Sequence, residues 1–312
     1  MQATGTILVG TDLSPLSQRA VEAAVRLAPR LGCERVVLEH VVNTSSAFAL
    51  MPYSLPDNQL GRMLEEGLEE ARQQLDALEV DVEGVRVERE ARLGLAARSL
   101  AEAAAQHGAG LIVIASHGYT AMRRTFLGSV AGDLVRIAHV PVLVVGEARP
   151  LPRAPVSVLA AVDLSPVSTS VLEHAVALLG GQGRLTVLSL FEHPLLLQER
   201  GALLPRYVSH QDVERLGAEH RAQVEALVAR VPHPGVEVRV EVMSKAPPPL
   251  VVLETAAILQ PELIVCGTSG HNALHRMILG STATRVLAEA PCPVLVVPPA
   301  TSPEASARVA ST

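Results

Sequence analysis

Short apolar runs alternate along the chain with longer stretches in which apolar side chains recur every three or four positions. Thr6 to Gly10 is a compact apolar run, of the kind that forms a strand buried on both faces. After Asp12-Leu13-Ser14-Pro15, the residues Leu16, Ala20, Ala23, Ala24, Leu27, Ala28 and Leu31 repeat at helical spacing. Ser14 is a favoured N-cap, Pro15 suits the first turn, and Gly32 is expected to close that helix. Arg35 to Val42 reads as the second strand. Asn43 to about Arg62, with Pro52 and Pro56, reads as a long connection, and Leu64, Leu68, Ala71, Leu75 and Leu78 form the seam of a second helix. Val85 to Ala91 alternates apolar and charged residues, which predicts an edge strand with one face toward water. The Ala-rich segment Leu95 to Gln106 predicts a third helix, Gly108 to Ser116 a fourth strand, and Pro141 to Val145 a last one. Strands alternating with helices imply an α/β fold: a mainly parallel sheet, helices on both faces, right-handed crossovers.

The same grammar then begins again. Val158 to Val162 leads into Asp163-Leu164-Ser165-Pro166, and Leu172, Ala175, Val176 and Leu179 form a helix seam that ends at Gly180-Gly181. Arg184 to Phe191 matches the second strand, Glu192 to Asp212 the long connection, and the alternation of Val236, Val238, Val240 and Val242 the edge strand. Gly118 and Gly270, Gly128 and Gly280, Ser129 and Ser281, and Pro141 and Pro293 are each 152 positions apart, so the halves are a duplication in register. Two domains are therefore expected, 1–146 and 156–299, with a proline-bearing linker over 147–155 and a disordered tail over 300–312. The apolar strands Pro141 to Val145 and Pro293 to Val297 lie at the other edge of each sheet. An exposed apolar edge invites aggregation, so the two copies are expected to pair along these strands within the chain.

Composition narrows the function. Hydrophobic residues make up 48% of the 312 positions and aromatics only 2%, so the cores must be packed from Val, Leu, Ile and Ala. The formal net charge of −6 argues against nucleic acid or an anionic membrane as partner. The three cysteines, Cys33, Cys266 and Cys292, lack CxxC spacing and suit reduced thiols in a cytoplasmic protein. No basic region followed by an apolar one opens the chain, and no apolar run approaches the roughly 20 residues of a membrane span, so neither a signal peptide nor a membrane is expected.

The candidate chemistry lies where the fourth strand of each half ends. In the second half that strand breaks at Gly267-Thr268-Ser269-Gly270, and order resumes at Gly280-Ser281, where a helix opens. Glycines let the backbone approach a ligand, and the first N–H groups of a helix are unpaired donors with partial positive charge, so this is an anion cradle suited to phosphate. The first half repeats it with Ala115-Ser116-His117-Gly118 and Gly128-Ser129. In an open parallel sheet the ligand crevice lies at the strands' carboxyl ends, where neighbouring crossovers leave in opposite directions. That sets Asp12 opposite the Ala115 to Gly118 loop, and Asp163 opposite the Gly267 to Gly270 loop.

On these residues the chain resembles the universal stress protein family in its tandem form, over about Thr6 to Pro298. The motif that carries the resemblance is G-x-x-G, nine residues, then G-[ST], complete as Gly267, Gly270, Gly280 and Ser281. The resemblance implies two doubly wound domains, each a five-stranded sheet of order 3-2-1-4-5 of the adenine nucleotide alpha hydrolase-like type, and ATP binding. It places Asp12 and Asp163 near the ribose, Val41 and Phe191 near the adenine, and Thr11 among the nucleotide-binding residues. The phosphates fall to Ala115, Ser116, His117, Gly118, Gly128, Ser129 and Val130 in the first half, and to Gly267, Thr268, Ser269, Gly270, Gly280, Ser281 and Thr282 in the second. Ala115 departs from the family's first glycine, and Phe191 is larger than Val41. A homodimer is a candidate assembly.

Plainer readings stand beside these. Asp12 and Asp163 suit a brace for a helix start, although Ser14 and Ser165 are placed to supply the caps; the glycines suit simple turn geometry. Arg124 and Arg276, in register within the nine-residue loops, are candidates to reach a terminal phosphate, but solvated arginines are the plainer reading. His271 and His275 share helical spacing without a third ligand, so no metal site is expected; His220 falls on an apolar seam and reads as packed. No P-loop lysine is present, the sole lysine being Lys245, and no acid and base pair recurs in both halves. Efficient catalysis is therefore not expected. The alternatives are an interaction protein of the same fold that binds no nucleotide, and a slow ATPase with Mg²⁺ held through Asp12 or Asp163.

Overall fold

The computed structural model describes residues 5–44, 57–80, 82–118, 127–154, 156–191, 209–244, 247–268 and 279–299. The chain forms two compact units, Met1–Ala154 and Pro155–Thr312. In the first, the elements run β1 Thr6–Thr11, α1 Pro15–Leu27, β2 Arg35–Asn43, α2 Asp57–Asp76, β3 Arg86–Gly94, α3 Ala96–Gln106, β4 Leu111–Ala115, α4 Ser129–Ile137 and β5 Val142–Val145. Its strands are parallel and ordered β3-β2-β1-β4-β5. In the second unit, β6 Ser157–Val162, α5 Val167–Leu179, β7 Gly183–Leu190, α6 His210–Val228, β8 Val236–Met243, α7 Pro248–Leu259, β9 Leu263–Gly267, α8 Ser281–Glu289 and β10 Val294–Val297 follow the same plan. Its order is β8-β7-β6-β9-β10, again all parallel. Both units thus have the expected order 3-2-1-4-5.

The order follows from the pattern of burial. Every residue of β1, β4 and β5 is buried, as strands covered on both faces require, whereas β3, at one edge of the unit's sheet, is half-exposed along its length. From β1 the crossovers step outward through β2 to β3, then return to β4 and β5 on the other side. Right-handed connections therefore send α1 and α2 to one face, and α3 and α4 to the other. Accordingly α1 lies on β1 and β4, while α3 and α4 pack on each other. At Gly10 the contact with α3 is close: an added Cβ would lie 2.7 Å from Leu100 Cδ1, so that side chain would have to shift.

Some boundaries differ from expectation. Helix α1 ends at Leu27 because Pro29 has no N–H to continue it; Gly32 instead takes a left-handed φ of +64° in the following turn. Helix α2 begins at Asp57, inside the stretch read as connection. The expected linker is held on the first unit: Leu151 is buried, Arg26 Nη1 donates to Leu151 O at 2.7 Å, and Arg19 Nη1 donates to Glu147 O at 2.5 Å. The tail 300–312 lies outside the described residues. Among the described residues no helix is long and apolar enough to cross a membrane.

Two histidines of the second unit make its stability depend on pH. His174 is 8% exposed, and burial lowers its pKa below the ordinary 6.5, although Nδ1 contacts Ser170 O at 2.7 Å. His220, a packed histidine as expected, contacts Ser189 Oγ at 2.9 Å and is lowered by burial as well. A lowered folded pKa means that below about pH 6.5 the unfolded chain takes up protons the folded one refuses, so stability is present above that pH and lost below it. Calorimetric scans should therefore show the second unit melting lower at pH 5 than at pH 7, and His174→Gln should shrink the difference. Equal midpoints at both pH values would contradict this.

Candidate functional site

At the carboxyl end of each central strand a D-L-S-P turn feeds the first helix. In the first unit Asp12 Oδ1 accepts from Ser14 N at 3.1 Å, and Thr11 Oγ1 accepts from Leu13 N at 3.0 Å and meets Ser17 Oγ at 2.9 Å. Ser14 caps α1, its hydroxyl accepting from Ser17 N at 3.2 Å. In the second unit Val162 stands where Thr11 does, so Ser168 has no threonine partner and its hydroxyl donates to Asp163 Oδ1 at 3.2 Å. Asp163 Oδ1 also accepts from Ser165 N at 3.1 Å. Ser165 does not supply the expected cap: α5 begins after Pro166, and the buried Ser165 hydroxyl finds no partner among the described residues. One oxygen of each aspartate therefore does brace the turn.

The turns are strained in both units. Leu13 and Leu164 hold φ of +65° and +61°, a conformation that costs a residue with a Cβ about 1–2 kcal/mol. No sequence signal marks this, since leucine is not a residue that favours it. The same strain recurs at equivalent positions, one residue after each aspartate, and marks both turns as candidate functional positions.

Opposite Asp12, β4 runs into Ser116, His117 and Gly118. A Cβ on Gly118 would overlap Asp12 Oδ2, so the backbone of the Ala115 to Gly118 loop lies directly against the carboxylate. Gly128 N donates to Ser116 O at 2.7 Å and Ser116 N to Val145 O at 2.9 Å, which bolts the start of α4 to the strand ends. The second unit repeats this, Gly280 N to Thr268 O at 2.7 Å and Thr268 N to Val297 O at 3.1 Å. Gly128 and Gly280 are the N-cap residues of α4 and α8, and neither helix has a side-chain cap. The first donors, at Ser129 and Val130 and at Ser281 and Thr282, thus meet no capping side chain, unlike those of α1.

Turn geometry does not explain these glycines. Gly128 and Gly280 have φ of −59° and −62°, open to any residue. Gly128 is needed because a Cβ would lie 2.9 Å from Ser116 O and 3.1 Å from His117 Cα. Ala115 and Gly267 are ordinary strand residues, paired with Val145 and Val297, so the methyl of Ala115 causes no backbone strain.

The adenine positions are not equivalent. Thr11 pairs with His40 and Val162 with Ser189, so the counterpart of Phe191 is Val42, one residue beyond Val41. A one-residue step reverses the face. Phe191 packs on α6, its ring 5.8 Å from that of His220 and near Gly217, as Val42 packs near Gly67 on α2. Val41 lies on the opposite face, half-buried beside Arg92. Arg124, Ser269, Gly270 and Arg276 lie outside the described residues, as do Lys245, His271 and His275.

Sequence reasoning passed over two partners. His40 Nδ1 contacts Thr11 O at 2.8 Å, and Glu147, read as linker, reaches His117 Nε2 at 3.3 Å. Among the described residues one cluster has metal-ligand character, Glu39, Glu90 and His107, but the Arg92 guanidinium already joins both carboxylates. All three cysteines are buried and none forms a disulfide, with burial pushing Cys266 up to about 12.

Comparison with known proteins agrees with this fold. The family model described as the universal stress protein family matches residues 4–146 and 157–298. The chain is 28% identical over 302 residues to a universal stress protein of Mycolicibacterium smegmatis, covering 94% of this chain and 97% of that one. It is 32% identical over 139 residues to a universal stress protein of Methanocaldococcus jannaschii, covering 45% of this chain and 80% of that relative. The crystal structure of a universal stress protein from Archaeoglobus fulgidus shares the fold with a TM-score of 0.63 at 23% identity, covering 96% of this chain and 99% of that one.

Proposed function

The chain belongs to the universal stress protein family, and from that premise we propose that it is a cytoplasmic stress-response module that binds ATP or a related adenine nucleotide in the crevice of each unit. One observation carries this reading: in each unit a glycine-capped helix start is hydrogen-bonded to the exit of the fourth strand, through Gly128 N to Ser116 O and Gly280 N to Thr268 O, both at 2.7 Å. Backbone donors at a helix N-terminus, approached across glycines, suit a polyphosphate. The residues suit the group, because the start of α4 carries no capping side chain and at Gly128 the backbone of Ser116 and His117 leaves no room for a Cβ. Gly128, Ser129 and Val130 would hold the phosphates in the first unit, and Gly280, Ser281 and Thr282 in the second. Asp12 and Asp163 would meet the ribose or a Mg²⁺ ion travelling with the nucleotide. The expected adenine positions Val41 and Phe191 lie on opposite faces of their strands, so they would not play equivalent parts.

Mass spectrometry of the small molecules released on denaturing the purified protein tests the proposal. An adenine nucleotide in molar proportion to the units is expected, and Asp12→Ala should lower the yield from the first unit. No released nucleotide, together with no calorimetric binding of added ATP and Mg²⁺, would overturn it in favour of a nucleotide-independent interaction protein.

A further inference from the structure

Ser116 and His117, where β4 enters the cradle of the first unit, are joined to Glu147 by two hydrogen bonds in series. Ser116 Oγ lies 3.0 Å from His117 Nδ1, and His117 Nε2 lies 3.3 Å from Glu147 Oε1. A carboxylate can only accept, so Nε2 carries the ring proton and Nδ1 is left as the acceptor for the Ser116 hydroxyl. Nucleophile, base and orienting carboxylate thus stand in the order that activates a serine. The parts are held from three sides. Ser116 N donates to Val145 O at 2.9 Å, Gly128 N donates to Ser116 O at 2.7 Å, and Arg19 on α1 donates to Glu147 O at 2.5 Å. Ser116 is 8% exposed and the His117 side chain 12%, so water competes weakly for the bond between them, whereas the Glu147 side chain, 45% exposed, meets His117 at the surface. The second unit carries Thr268 and Ser269 in these places, and Pro298 and Pro299 where Gly146 and Glu147 stand, so the relay belongs to the first unit alone.

We propose that Ser116 is an activated nucleophile that accepts the terminal phosphoryl group of the nucleotide held in the first unit, with His117 as general base and Glu147 as its positioning residue. The proposal rests on the nucleotide reading of the same crevice. In the step, a lone pair of Ser116 Oγ forms a bond to the terminal phosphorus, and the hydroxyl proton passes to His117 Nδ1. The bond from that phosphorus to the bridging oxygen breaks, and the nucleoside diphosphate leaves with the electron pair. The imidazolium so formed keeps its Nε2–H on Glu147, which stabilises the new charge. The first N–H groups of α4, tied to Ser116 through Gly128, supply fixed donors for the charge on the transferred group.

Two probes applied to the full chain separate this inference from the binding reading beneath it. With γ-labelled ATP, phosphate is expected on Ser116, absent in Ser116→Ala and reduced by about 100-fold or more in His117→Ala. Glu147→Gln should slow the transfer and alter its pH profile while calorimetric ATP affinity stays unchanged, and Glu147→Asp should restore part of the rate. A fluorophosphonate, whose P–F bond an activated serine breaks with loss of fluoride, needs no nucleotide and should label Ser116 in a His117-dependent way. ATP bound without phosphate appearing on Ser116 would overturn the proposal. If ATP does not bind, the nucleotide reading and the phosphoryl transfer fall together, and fluorophosphonate labelling reports whether the relay itself activates Ser116.

Discussion

Arg92→Met alone is expected to destabilise the first unit by about 3–5 kcal/mol, whereas Arg92→Met combined with Glu39→Leu should return it to within about 1 kcal/mol of the parent, or above it. Glu39 is fully buried on β2, and its charge is answered by Arg92, which also reaches Glu90 Oε2 at 3.2 Å and Gln106 Oε1 at 3.0 Å. Removing the arginine strands a carboxylate under α3 with no route to water. Glu39→Leu alone should cost less, because Arg92 is 24% exposed and retains Glu90 and Gln106. The chain contains its own control. In the second unit the register places Leu188 where Glu39 stands and Met243 where Arg92 stands, and the same sheet forms. A packed apolar pair therefore satisfies this fold.

The protonation of Glu39 points the same way. Burial raises its pKa and Arg92 only partly offsets the rise. A raised folded pKa contributes stability below the unfolded value near 4.5, and that contribution is lost as pH rises through the folded pKa, so the charged form is a cost at neutral pH. The deficit of Arg92→Met should accordingly shrink as the medium is acidified and Glu39 becomes neutral. Urea titration read by hydrogen exchange at the β2 amides measures all three variants. A double variant as unstable as Arg92→Met would mean that the network does more than neutralise its own charges.

Much of this architecture was legible because the duplication states each feature twice. The fully apolar runs at β1 and β4, the alternation at β3 and β8, and the paired D-L-S-P and G-[ST] elements locate strands, edges and cradle in both halves. What escaped depends on contacts between distant residues or on register. Glu147 lies in a proline-bearing stretch that looks like linker, and only the fold brings it to His117. The resemblance implies an adenine role for both Val41 and Phe191, but the ladders make Val42 the counterpart of Phe191, and a strand turns a one-residue error into the opposite face. Leu13 and Leu164 hide their left-handed backbone behind a side chain with no preference for it. Ala115 departs from the family's first glycine, yet it lies within β4, inside the strand expected over Gly108 to Ser116, where a methyl is ordinary.

The glycine that matters more to the first crevice is Gly118, and Gly118→Ala is expected to weaken nucleotide binding by the first unit by about 10–100-fold while leaving the fold intact. Its backbone is not in the left-handed region, so alanine brings no conformational strain. The added methyl would instead occupy the place of Asp12 Oδ2, the end of a side chain that can swing aside. Asp12 is also tied through Oδ1 to Ser14 N, so displacing one oxygen turns the whole carboxylate away from the strand ends. The loss is that of a charged hydrogen-bonding group from the site, about 1.5–3 kcal/mol, with little change in the energy of folding. Gly128→Ala differs, since its methyl would meet the backbone at Ser116 O and should cost stability as well as affinity. Calorimetric titration with ATP and Mg²⁺ beside a thermal melt separates the two outcomes: unchanged melting with one class of site weakened is the result expected of Gly118→Ala. Full affinity at both units would show that the nucleotide does not depend on the place Asp12 holds.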